Sequence, residues 1–285
     1  MTTRIDDALR DAQQALGQAA GGEHGASRLE AEILLAHALG TTRTYLRTWP
    51  ERALEDDARA RFQQLLARRL AGEPIAYLTG SREFWDMTLT VTPDTLIPRP
   101  ETERLVELAL ARIPIDAQWR IADLGTGSGA IALAIARERP RCQVIATDNS
   151  AAALAVAQEN AARLNVTNIA FRQGRWLEPL GDERFQLIAA NPPYVHPADP
   201  HLAEGDLRFE PATALASAPD GLADLRDIVE GSRHHLRPGG WLLLEHGYEQ
   251  GPAVADLLRA GGYAEVDVVT DLGHRERVCV GLWRA

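Results

Sequence analysis

Cysteine is scarce in this chain: 285 residues hold two, Cys142 and Cys279. They lie far apart, neither belongs to a CxxC pair, and both fall in apolar runs, which excludes a disulfide framework and predicts buried free thiols. Positive charge is also short. Thirty Lys and Arg stand against forty Asp and Glu, for a net charge of −10 and a pI near 5.3. A sheath for nucleic-acid phosphates would be basic, so no direct nucleic-acid partner is expected. No apolar stretch is long enough to span a bilayer, and Met1-Thr2-Thr3-Arg4 does not open like a signal peptide. No membrane association and a reducing cytoplasm are the expectations. No His/Cys spacing suggests zinc, so no metal is expected, and no Ser or Cys has a triad pattern around it. Internal repeats and low-complexity tracts are absent from the sequence.

What is present begins with helical periodicity. Ile5, Leu9, Ala12 and Leu16 recur at helical spacing, and Gly21 to Gly25 break the pattern. Ser27-Arg28-Leu29-Glu30 has the form of a capping box, which predicts a second helix carrying Ile33, Leu34, His37 and Ala38 to Gly40. A third helix is predicted from about Leu54 to Gly72. Residues 1–74 are therefore expected to form a small helical bundle that binds a partner. Residues 75–98 are expected to be a linker built on a β-hairpin, from Glu83-Phe84-Trp85 and Met87 to Val91. The third region, 99–285, opens with Pro100 near the first turn of a helix. From Trp119 onward strands and helices alternate. Strands are predicted at Arg120–Leu124, Gln143–Thr147, Ile169–Gln173, Phe185–Ala190, Trp241–Glu245, Ala264–Val269 and Arg277–Trp283, the last two antiparallel to each other. Such alternation predicts an α/β, doubly wound, mostly parallel seven-stranded sheet.

Two stretches carry candidate chemistry. Asp123-Leu124-Gly125-Thr126-Gly127-Ser128-Gly129 sits at a strand-to-helix junction, where glycines permit a tight turn and close approach of a ligand. Asp148 closes the next strand, where an acid can hold the hydroxyls of a ribose. Gly125, Gly127 and Ala130 also match the dinucleotide fingerprint, so NAD is one reading. Asp123, however, puts a carboxylate beneath the loop. That suits a ligand bearing ammonium and sulfonium charge, such as S-adenosylmethionine, better than a pyrophosphate.

The second stretch is Asn191-Pro192-Pro193-Tyr194, directly after an apolar strand. Neither proline can donate to a sheet ladder, so the chain must leave the sheet there. The Asn191 side chain and turn carbonyls then become acceptors beside the flat face of Tyr194. That array suits a planar –NH2 group. Acceptors holding both hydrogens out of plane would favour a nitrogen lone pair aimed at an electrophile.

Together, Asp-Leu-Gly-Thr-Gly-Ser-Gly (123–129) and Asn191-Pro192-Pro193-Tyr194 resemble the class I methyltransferases that act on planar nitrogen. The segment Leu96-Ile97-Pro98-Arg99-Pro100-Glu101-Thr102-Glu103 is similar to the signature of the release-factor glutamine N5-methyltransferase family (PrmC/HemK). Phe209-Glu210-Pro211, Leu244-Glu245-His246-Gly247 and the helical amino-terminal region resemble that family as well. The resemblance implies the methyltransferase form of the seven-stranded sheet. It also implies transfer of a methyl group from S-adenosylmethionine, leaving S-adenosylhomocysteine, to the Gln of the Gly-Gly-Gln motif in bacterial class I release factors. By the same resemblance Asp123 and Gly125 to Gly129, with Thr126 and Ser128, would line the cofactor, Asp148 would hold its ribose, and Trp176 would lie against its adenine. Asn191 would touch cofactor and substrate, while Pro192, Pro193 and Tyr194 would hold the glutamine, with Asn191, Pro192 and Tyr194 as the catalytic set. One departure stands out: the position before Trp176 is often acidic in the family and is Arg175 here, which bears on an adenine-side hydrogen bond. A monomer is expected. Methylation of a ribosomal-protein glutamine, or of adenine N6 in DNA, uses the same kind of tetrapeptide and is the alternative.

Overall fold

A computed structural model describes residues 3–19, 24–217 and 219–284. It divides into two compact units, Met1–Gly80 and Ser81–Ala285.

The first unit contains α1 (Ile5–Ala19), α2 (His24–Leu39), α3 (Arg43–Thr48), α4 (Asp56–Leu70) and α5 (Ile75–Thr79). The helical spacing of Ile5, Ala12 and Leu16 buries them against Leu34, Leu35, Leu46, Phe62 and Leu78. Ser27 is not a cap, because α2 already begins at His24. Part of the Gly21–Gly25 break and the Met1-Thr2 opening lie outside the described residues. The short α3 had no periodic signal; Thr42 caps it by accepting the Tyr45 N–H. Ile75–Thr79 coils into α5 and packs Leu78 into this core, so the unit runs to Gly80 rather than residue 74. Glu32 is buried among Arg28, Arg43 and Arg47. Burial works to raise its pKa, but the three guanidinium hydrogen bonds outweigh that and bring it down to about 2.

The second unit opens with a hairpin, β1 (Ser81–Phe84) and β2 (Met87–Thr90). Phe84, Met87 and Leu89 are buried in this unit's core. A 3₁₀ turn, Pro100–Thr102, leads into α6 (Glu103–Arg112). There follow β3 (Arg120–Leu124), α7 (Ala130–Glu138), β4 (Gln143–Asp148), α8 (Ala151–Arg163), β5 (Ile169–Gln173) and β6 (Phe185–Ala190). The remainder is α9 (Ala212–Leu215), α10 (Ala223–His235), β7 (Leu236–Glu245), α11 (Gly251–Ala260), β8 (Ala264–Thr270) and β9 (Glu276–Trp283). The sheet order is β5-β4-β3-β6-β7-β9-β8, parallel except for β9, which runs antiparallel to β7 and β8.

The apolar runs of the central strands follow from cover on both faces. Ile121, Leu187, Ala189 and Leu243 meet α6 and α7 on one side. Ala122, Leu124, Ile188, Ala190, Leu242 and Leu244 meet α10 and α11 on the other. The chain winds outward from β3 to β5, then returns to place β6 on the opposite flank of β3. The carboxyl ends of β3 and β6 therefore diverge into loops at a topological switch point, where open α/β sheets bind ligands.

Candidate functional site

A cavity of ≈ 460 Å³ opens at that point. Its walls come from the glycine turn after β3, the end of β4, the loop after β5, the turn after β6, the segment Pro93–Leu96 and the Pro211–Ala216 stretch. Gly125, Gly127, Asp148, Trp176, Asn191 and Pro193 all line it. Asp123, Thr126, Ser128, Gly129, Pro192 and Tyr194 do not, and the reasons differ.

Asp123 is fully buried under the glycine turn. Its Oδ2 accepts from the Thr126 hydroxyl at 2.6 Å, whereas Oδ1 has no hydrogen-bond partner among the described residues. Burial pushes its pKa up to about 7, the Thr126 bond opposing this. Thr126 and Ser128 are buried structural members of the turn. The three glycines have positive φ but separate functions. A side chain at Gly125 (φ +72°) would strike the Trp176 ring at 2.7 Å, and one at Gly129 (φ +89°) would strike Leu133 at 2.9 Å. At Gly127 (φ +57°) nothing lies within 4 Å, so that position faces open space on the cavity wall. Only Gly127 leaves room for a ligand where a Cβ would stand.

Asp148 ties the turn to the next helix. Its Oδ2 accepts the Gly127 N–H at 2.9 Å and its Oδ1 the Ser150 N–H at 2.8 Å. The N-cap of α8 is Ser150 itself, which accepts from Ala153. Asp148 is thus held by two backbone donors, with its remaining lone pairs at the cavity edge.

Trp176 has a left-handed backbone (φ 47°), rare for a large residue. The Thr147 hydroxyl donates to its carbonyl at 2.8 Å, and its indole N–H donates to Asp224 Oδ1 at 3.1 Å. The ring is half-buried: one part packs on the core below α10, and another lines the cavity. Arg175 does not replace an acid at the ligand, because its guanidinium pairs with Asp224 and Asp227.

Asn191 stands at the cavity with its Nδ2 turned toward the Thr102 hydroxyl, 3.3 Å away. Pro192 is buried. The Tyr194 ring lies beside Gly247, its carbonyl accepts from Gln250 Nε2 at 3.0 Å, and burial raises its hydroxyl pKa.

Several contributing residues were quoted above only as parts of motifs, and one, Asn160, not at all. Glu210, buried, accepts from the Ile97 N–H at 3.0 Å and from Arg99, fastening the 96–99 segment beside Pro211. Asn160 is fully buried on α8; it accepts from Thr90 N (2.7 Å) and donates to Thr90 O and Ser128 O (2.9 Å each). The available signal was a lone polar residue inside an otherwise apolar helical face. Glu103 accepts from Trp85 N at 2.8 Å, so it braces the hairpin. His246 Nδ1 donates to the Gly247 carbonyl at 2.8 Å, and its Nε2 lies 3.3 Å from the Cys279 sulfur.

The lining carboxylates Asp94, Asp148 and Asp224, with Asp123 below, outnumber one cation, Arg175, already paired. A pyrophosphate would meet repulsion here, while a positively charged ligand suits both these acids and the orphan Asp123 oxygen. The residues present therefore fit a positively charged ligand such as S-adenosylmethionine.

Comparison with known proteins agrees with this chemistry. Residues 7–80 match the family described as PrmC N-terminal domain, and residues 103–208 the methyltransferase small domain. The chain is 49% identical over 285 residues to a release factor glutamine methyltransferase of Vibrio cholerae, covering 100% of this chain and 98% of that protein. It is 51% identical over 254 residues to the Escherichia coli protein of the same name, covering 89% and 91%. Among solved structures, the chain shares its fold with a ribosomal protein L11 methylase from Lactobacillus delbrueckii (TM-score 0.52, 23% identity, 68% of this chain and 84% of that one). A Thermus thermophilus 16S rRNA N2 G1207 methyltransferase in complex with AdoMet and guanosine is similar in the same sense (TM-score 0.55, 19% identity, 72% and 50%).

Proposed function

The chain belongs to the family of release factor glutamine methyltransferases, and from that premise and the cavity we infer that it methylates the side-chain amide N5 of the glutamine in the Gly-Gly-Gln motif of bacterial class I release factors. One observation carries the reading. Asn191 lines the same cavity as Gly125, Gly127, Asp148 and Trp176, which supports a reading in which acceptors for an amide and a cradle for a cationic donor share one space.

S-adenosylmethionine, when bound, supplies an electrophilic methyl group on a sulfonium. Gly127 and Asp148 would hold it at the turn, Trp176 would cover its base, and the buried Asp123 would favour its positive charge from below. Asn191 Oδ1 and the Pro192 carbonyl would accept the two hydrogens of the substrate amide. That grip takes the nitrogen lone pair out of conjugation with the carbonyl and stabilises the positive charge growing on nitrogen. Pro193 and Tyr194 would fix the turn and support the glutamine. Positioning of two bound reactants contributes roughly 7–11 kcal/mol to lowering the barrier. As the N–CH3 bond forms the S–CH3 bond breaks, and the methylated nitrogen, now far more acidic, releases its extra proton to water, so no strong base is required.

The test is incubation with labelled S-adenosylmethionine and release factor, ribosomal protein or DNA, followed by mass spectrometry of the Gly-Gly-Gln peptide. One added methyl on the Gln is expected. Label in DNA, in a ribosomal protein alone, or in neither would overturn the assignment. Asn191→Ala is expected to lower kcat by about 100-fold or more; near-normal turnover would contradict its role.

A further inference from the structure

Glu245 is a buried acid to which the reaction above gives no part. It is the last residue of β7, after the apolar run Trp241–Leu244, and is 1% exposed. Its Oε2 has no hydrogen-bond partner among the described residues. Such a group is costly to retain in a core unless something requires it. Ala190 pairs with Leu244 across the parallel ladder, so Asn191 and Glu245 leave adjacent strands side by side. Thr102 approaches from the turn before α6, itself buried. Burial raises the Glu245 pKa to about 7, while hydrogen bonding from the Thr102 hydroxyl and the Asn191 amide works the other way. Arg277 on β9 also favours its charged form, and Glu101 opposes it; the charge of Glu245 in turn helps raise the Tyr194 hydroxyl pKa.

A hydroxyl has one hydrogen to give. The Thr102 oxygen accepts from Asn191 Nδ2, so its own hydrogen must go elsewhere, and the neighbouring acceptor is Glu245. An ionised carboxylate can only accept. While Glu245 is charged, Thr102 must donate to it and accept from Asn191, and the Asn191 amide must turn its NH2 inward and its oxygen outward. A protonated Glu245 has a hydrogen of its own, and the amide can then sit either way round.

The geometry points to Glu245 as a positioning residue that, through Thr102, keeps the Asn191 carbonyl oxygen aimed at the substrate amide. This deepens the function inferred above and rests on it.

Glu245→Gln keeps the shape and removes the obligatory acceptor. It is expected to lower kcat on release factor by on the order of 100-fold, leaving KM and the affinity for S-adenosylhomocysteine by calorimetry within about twofold. The wild-type fall in kcat below pH 7 is expected to disappear in this variant. The infrared band of a protonated buried carboxyl should weaken relative to wild type at pH 5.5. Thr102→Val should reproduce the loss of kcat and Thr102→Ser should restore it, which keeps the test open if Glu245→Gln fails to fold. Unchanged kcat in Glu245→Gln or Thr102→Val, or an acidic limb that persists in Glu245→Gln, would overturn the assignment. A wild-type chain that leaves the release factor unmethylated would instead remove the function on which the assignment rests.

Discussion

Replacing Asp123 by Asn should make the protein more stable at alkaline pH and a poorer binder of its cofactor. The carboxyl is fully buried, Thr126 satisfies one oxygen, and the other is orphaned. Burial has moved its pKa from the model-compound 3.8 to about 7. Between those values the folded chain holds a proton that the unfolded chain has released. Stability therefore falls as pH rises through this window, by up to about 1.4 kcal/mol per pH unit, and the cost is fully present above pH 7. Across the window the upper bound is about 4 kcal/mol, of which about 2–3 kcal/mol falls between pH 5 and 8.5. In a unit of this size each kcal/mol shifts Tm by about 2–4 °C. Scanning calorimetry from pH 5 to 8.5 should show the wild-type Tm dropping relative to Asp123→Asn by roughly 4–8 °C toward the alkaline end. Calorimetric titration with S-adenosylhomocysteine should show affinity reduced by about tenfold, since an amide does not attract the ligand ammonium. Parallel Tm curves for the two proteins across this range would refute the reasoning, because the acid would then not be titrating inside the fold.

Gly127→Ala should weaken ligand binding by tenfold or more while costing about 1–2 kcal/mol of stability, since the new methyl enters the open cavity from a left-handed backbone. Gly129→Val should instead lower Tm, because its side chain meets Leu133 and Ala157, with the binding heat per folded molecule kept; calorimetry on both variants separates the two glycines. Asn160→Leu should destabilise the second unit by about 2–4 kcal/mol, since Thr90 N, Thr90 O and Ser128 O lose their partner together; denaturant midpoints will read this.

The strands and the two site motifs were legible because each has a local cause. Phe185–Ala190 is apolar but for Gln186, then meets two prolines, so both the buried strand and its exit are encoded within ten residues. The same holds for Arg120–Leu124 and its glycines. What failed to show was what depends on partners distant in sequence. Ser27 has cap chemistry, but α2 starts upstream at His24. The α3 helix is too short for a period to emerge. Glu210 and Glu245 stand in quoted motifs without their contacts being readable there, and Asn160 is a single polar residue on an apolar helical face. Their partners lie 70 residues away for Asn160 and Thr90, and 113 for Glu210 and Ile97. A glycine run suggests one shared purpose, yet only coordinates show that Gly125 yields to an indole, Gly129 to a helix and Gly127 to empty space.

The amide of Asn160 grips Thr90 as a neighbouring strand would, and in the same motion holds Ser128 in the turn that follows β3. Excision of a stand-alone methyl-transfer fragment must therefore begin ahead of Ser81. A cut at residue 99, where the signature segment invites one, would strip the hairpin from its socket and leave the nearby cofactor turn without a fastening.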